Sequence, residues 1–149
     1  MMQLLVARTV ICLMIFIGSN ALAPVTSVAA VAMAKQGVDD WVATHPRAVK
    51  EFEEWVISNR SVAQALFRWD NNHPDQSKVF VMWILTHQGK GIDVFAAQHL
   101  EWTHLNRIIR ENRDAMEDFV VWCRFHPKAT GQLIKNRRAL YYFGQHLFA

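Results

Sequence analysis

The chain is poor in the residues that would staple it or bind a metal through sulfur. Of its 149 residues only two are cysteines: Cys12, inside an apolar N-terminal tract, and Cys123. No disulfide framework and no cysteine-based metal cluster can be built from them. Covalent haem attachment is excluded too, because no Cys-x-x-Cys-His occurs. Strand character is equally absent, since no stretch alternates apolar and polar residues with period two. No Gly-x-Ser-x-Gly elbow, phosphate-binding glycine loop or His-Glu-x-x-His is present. Neither sign of charge dominates: 16 Lys and Arg stand against 13 Asp and Glu, a formal net charge of +3. These absences remove most enzyme classes and point to a non-enzymatic protein with no cofactor.

What is present divides into two parts. One charge, Arg8, precedes an apolar run from Thr9 to Gly18. A small-residue tract rich in Ala, Val and Ser then continues uncharged to Ala34. A basic end, an apolar centre and a small-residue exit form the pattern of a secretory signal peptide over residues 1–34. Ala21-Leu22-Ala23, Ala30-Val31-Ala32 and Ala32-Met33-Ala34 are its candidate cleavage sites. The alternative is a retained membrane anchor over residues 9–34, because this uncharged tract exceeds the roughly 20 residues that span a bilayer. Residues 35–149 suffice for one domain.

That domain is built on a fourteen-residue beat. His45-Pro46 is followed by Phe52 and Trp55, Asn59-Arg60 by Leu66 and Trp69, and His73-Pro74 by Phe80 and Trp83. The phrase returns as Asn112-Arg113, Phe119 and Trp122, and starts again at His126-Pro127. Self-similarity at a fixed short period marks a repeat architecture. Pro46, Pro74 and Pro127 would each cost a helix interior about 3 kcal/mol but suit its first position. Asn59, Asn106, Asn112 and Asn136 stand where other units have His, and asparagine is a strong N-cap. The expected unit is a cap, a helix of about ten residues and a tight turn.

Apolar residues fall three or four apart within a unit, as in Ala48, Val49, Phe52, Trp55 and Val56, which places them on one helix face. Such short helices are marginal alone and must stack. The expectation is an all-α array or bundle of five to seven short amphipathic helices, with the tryptophans in its core. His87-Gln88-Gly89-Lys90-Gly91 interrupts the beat and is the candidate loop, 87–91, dividing two halves. Longer helices are expected after it, over Ile92–Ile109, Arg113–Arg124 and Lys128–Leu147. The order of these units over about residues 41–83 and 112–146 resembles secreted bacterial proteins built from tandem (His/Asn)-Pro-x-x-Ala-x-x-Phe/Leu helical units. That resemblance implies export and a helical-repeat fold. It carries no assigned activity, so no site residue follows from it.

The functional expectation is an exported binding or scaffold module acting outside the cytoplasm, periplasmic or secreted, because stacked repeats present extended surfaces. Its partner would be a protein, an anionic polymer or a membrane surface, with self-association as a further route and nucleic acid not favoured. The basic C-terminal third supplies the candidate contacts: Arg110, Arg137, Arg138, Tyr141 and Tyr142. Two alternatives stand beside this. His99, His104 and His146 are not explained by the repeat, and would be the ligands of a small periplasmic metal- or haem-binding protein. With its N-terminal segment retained, the chain would instead be a membrane-anchored accessory subunit.

Overall fold

The computed structural model describes residues 28–148; the signal-peptide or anchor expectation for residues 1–34 lies mostly outside them. Among the described residues the chain is all helix, in nine segments. These are α1 (Val28–Thr44), α2 (Pro46–Ser58), α3 (Arg60–Asn72), α4 (Pro74–Thr86), α5 (Ile92–Gln98), α6 (Thr103–Glu111), α7 (Arg113–Phe125), α8 (Pro127–Lys135) and α9 (Arg137–Phe148). Four of them, α2, α3, α4 and α7, are 13 residues long. One further residue turns the corner, and together they make up the fourteen-residue beat.

The corners share one geometry. His45, Asn59, His73, His87, His99, Asn112, His126 and Asn136 all have φ between −102° and −139° and ψ between 40° and 74°. At His45 the backbone N–H still donates to the Trp41 carbonyl four residues back, and the His45 carbonyl accepts from Val49 N–H, both at 3.0 Å. The ladder therefore passes through a single residue while the helix axis turns. Proline at the next position lacks the N–H that this turn would orphan.

The polar side chain at the corner works backwards, not forwards as expected. His45, Asn59, His73, Asn112 and His126, each just ahead of a helix, make no N-cap side-chain bond. Instead Asn59 and Asn112 donate Nδ2–H to the carbonyls of Trp55 (3.1 Å) and Ile108 (3.0 Å). His45, His73 and His87 set Nδ1 at 3.2, 2.9 and 3.1 Å from the carbonyls of Trp41, Trp69 and Trp83. The same imidazoles stack on those indoles, at 28°, 19° and 9°. His and Asn are thus C-caps of the preceding helix, adding a side-chain contact to a carbonyl that already accepts the corner residue's own backbone N–H. Asn106 is not a corner residue: it lies buried within α6, with Nδ2 on the His99 carbonyl at 2.6 Å.

Three helix boundaries also differ from expectation. The stretch Ile92–Ile109 breaks at His99, where Phe95 replaces the tryptophan of other units and no proline marks the corner. Lys128–Leu147 breaks at Asn136, and Arg113–Phe125 has the common length. There are consequently nine helices among the described residues rather than five to seven. The loop at 87–91 is present: Gly89 has φ +81°, which glycine adopts without strain.

Trp41, Trp55, Trp69, Trp83 and Trp122 are buried with Phe52, Phe80, Phe95 and Phe143 in one continuous core. Indole N–H groups tie distant units together. Trp55 donates to the Ala115 carbonyl and Trp122 to the Ala48 carbonyl, each at 3.0 Å, while Trp41 donates to Ala129 at 2.9 Å. All three acceptors occupy the same place, three residues after a corner. The first two bonds are reciprocal and relate α2 to α7 by an approximate two-fold axis. Neighbouring pairs follow it: α1 on α8 matches α6 on α3, α2 on α3 matches α7 on α8, and α4 on α8 matches α9 on α3. The contact of α9 with α1 brings the ends of the array together. The result is a closed bundle, not an open stack in which each unit touches only its neighbours.

Candidate functional site: a two-histidine groove

The two-fold relation makes the ends of the α2/α7 pair comparable. Residues 67 apart are equivalent, so His45 corresponds to Asn112 and Asn59 to His126. At one end both corners are asparagines, each satisfied as a helix cap. At the other end both are histidines, and they line a groove of about 560 Å³ together with Thr44, Arg47, Glu51 and Phe125. Where the acidic end carries Asp114, Asp118 and Ser58, the groove carries Arg47, Glu51 and Phe125.

His126 departs from the corner pattern. Its ring is tilted 46° from Trp122 with the centroids 5.7 Å apart, and Nε2 lies 2.6 Å from Glu51 Oε2. A carboxylate accepts, so Nε2 carries the proton here. In His73 the carbonyl contact instead fixes the proton on Nδ1. Glu51 is doubly engaged, because Oε1 also accepts from Arg47 Nε at 2.7 Å. The hydrogen bond from Arg47, then that from His126, holds the Glu51 carboxyl below the usual carboxylate range, and the same pairing raises the Arg47 guanidinium.

His45 keeps the cap role, with Nδ1 turned to Trp41 and to Thr44 Oγ1 at 2.9 Å. The groove also contains the start of α2 and the corner residue that precedes α8, and the first turns of both helices hold no acidic residue. Amide donors at helix starts favour negative charge. Beside them Phe125 is 77% exposed. Phe125 stands just before a corner, where the other units have Thr44, Ser58, Asn72, Thr86, Gln98, Glu111 and Lys135. That exception was visible in the sequence; the pairing of Glu51 with His126 was not.

The contacts expected in the C-terminal third are distributed differently. Arg110 is exposed in the last turn of α6. Arg137 donates to the Asp70 carbonyl at 2.8 Å and so fastens α9 to α3. The side chain of Arg138 lies outside the described residues. Tyr141 is exposed and its hydroxyl accepts from Gln145 Nε2 at 2.7 Å; its ring meets that of Tyr142 edge-on. Tyr141 lines a shallower groove of about 230 Å³ with Arg68 and Gln145.

The three alternative ligands are not brought together. His99 is a corner residue after all, packed between Phe95 (4.4 Å) and Trp102 (4.5 Å). His104 is exposed with its ring 6.3 Å from that of His73, and His146 is exposed on α9. Among the described residues no group of three His, Cys, Asp or Glu side chains is placed to hold a metal ion. No helix among them is long and apolar enough to cross a membrane. Cys123 is buried, and that burial pushes its thiol far up.

No protein-family model matches the chain, and comparison with curated proteins and with solved structures gives no match either.

Proposed function

We propose that this protein is an exported, non-enzymatic binding module whose two-histidine groove receives an acidic peptide segment of a partner protein. The observation that carries this reading is His126. It lacks the parallel stacking on tryptophan that His45, His73 and His87 keep and turns to Glu51, beside an exposed phenylalanine. The Glu51 carboxylate is saturated by His126 and Arg47, so it is poorly suited to act as a base or nucleophile. Arg47, with its side chain 86% exposed, keeps guanidinium surface for an incoming carboxylate. Phe125 offers an apolar platform next to it, and aromatic residues with arginine are typical anchors of interfaces. The uncharged tract before Lys35 and the resemblance to secreted repeat proteins support the placement outside the cytoplasm. The membrane-anchored reading differs only in whether that tract is retained.

The test is the affinity of the full chain for a short peptide of glutamates around one phenylalanine. Arg47→Glu should weaken binding by about tenfold, equivalent to about 1.4 kcal/mol. Arg110→Glu and Arg137→Glu should leave it nearly unchanged. Equal effects at all three sites would mean that only net charge matters, and the groove would lose its role.

A further inference from the structure

The corner histidines share a property that the groove leaves unused. At His73 the Trp69 carbonyl, 2.9 Å from Nδ1, holds the ring proton on that nitrogen. Nε2 is then unprotonated, with its lone pair directed away from the cap. Stacking on Trp69, at 19° with ring centres 5.6 Å apart, sets the plane of the imidazole. A backbone carbonyl on one ring nitrogen is also the arrangement that orients a histidine toward a metal on the other. His73 has a second imidazole beside it. His104, in the first turn of α6, is exposed, and its ring centre lies 6.3 Å away at 79°. Neither its repeat position nor any hydrogen bond gives His104 a structural task.

We propose that His73 and His104 form a binding site for a divalent transition-metal ion of the copper, nickel and zinc group, bridging the α3/α4 corner to α6. Neutral imidazole is a favoured donor for these ions, and copper(II) binds most tightly among them. Two imidazoles on one ion at about 2.0–2.1 Å hold their ring centres roughly 5–6 Å apart. The observed separation therefore needs only a small rotation of the His104 side chain. Water completes the coordination, and at this exposed position solvent screens the charge of the ion. The site takes only His104 from the three histidines expected at the sequence level, and it needs two protein ligands rather than a cluster of three. It is independent of the peptide groove, because neither histidine lines that groove.

Copper(II) is the probe, titrated calorimetrically into the untagged full chain, with electron paramagnetic resonance of the complex as the second readout. Saturable binding of one ion per chain is expected, with nitrogen couplings from the imidazoles. His104→Ala should weaken it by no less than the roughly tenfold that losing an outer partner of a metal ligand costs. His73→Asn keeps a cap side chain at the corner but removes the ligand, and should weaken binding as much. If that variant does not fold, His104→Ala, on an exposed residue, decides alone. His146→Ala, on a histidine elsewhere on the surface, should leave the affinity unchanged. Affinity retained in His104→Ala or in folded His73→Asn would overturn the site. So would an equal loss in His146→Ala, which would mark adventitious binding spread over the histidines, or the absence of saturable binding.

Discussion

Trp55 and Trp122 hold each other's helices: each indole N–H donates to a carbonyl in the first turn of the helix that carries the other, both at 3.0 Å. The two residues are 67 positions apart, at the same place in their units. A repeat that would otherwise build a linear stack here closes on itself through an approximate two-fold axis. That axis also brings His45 and His126 to one end and the two asparagine corners to the other.

Replacing either tryptophan by phenylalanine keeps most of the aromatic mass but removes the bond between the helices, while the acceptor carbonyl keeps its partner within the helix. Trp55→Phe and Trp122→Phe should each lower stability by about 1–2 kcal/mol, the net worth of the lost hydrogen bond plus some lost packing. Urea midpoints would measure it. Because both bonds serve one helix pair, the double variant should depart from additivity.

The corner caps predict a ranking of substitutions. Asparagine and histidine contact the same carbonyl, so His73→Asn should be tolerated to within a few tenths of a kcal/mol. His73→Ala should cost about 1 kcal/mol, since it loses the bond to the Trp69 carbonyl and the stacked ring. Equal loss in both variants would assign the corner to backbone geometry alone.

Much of this architecture was written in the sequence, because burial and proline are local signals. The Phe and Trp positions lie in the core, His-Pro and Asn-Arg mark true corners, and Gly89 marks a true loop. The direction of the cap was not legible, since an asparagine between two helices can serve either one. His99 hid as a corner because its unit has Phe95 in place of tryptophan and lacks proline. Glu51 and His126 are 75 residues apart, and only tertiary packing joins them. Phe125 was the one readable sign of the groove, an apolar residue at a position otherwise polar.

Gly144 has a steric task. A Cβ there would lie 1.9 Å from the Phe67 ring, which packs directly over α9. Gly144→Ala should cost about 1–3 kcal/mol by forcing the ring or the helix aside, measurable as a lower urea midpoint. The same change at Gly131, where a Cβ meets nothing within 4 Å, should be neutral or slightly stabilising.

Glu51 and Asp70 titrate with opposite consequences. The folded-state value of Glu51 lies below its ordinary 4.5, so its contribution is present above that pH and lost as pH falls through the depressed value. Asp70 is raised, so the folded state holds its proton longer and stability declines as pH rises through the raised value. Urea midpoints between about pH 3 and pH 7 should therefore show a shallower acid-side loss in Glu51→Gln. Asp70→Asn should remove the decline on the upper side. Unaltered profiles in both variants would contradict the assigned environments.

The most direct test of the account is an amide chemical-shift map of the full chain titrated with the glutamate–phenylalanine peptide. The groove reading predicts that the largest shifts fall on Arg47, Ala48, Phe125 and His126, and that they vanish in Arg47→Glu. Shifts concentrated on the Tyr141 face of α9, or none at saturating peptide, would contradict it.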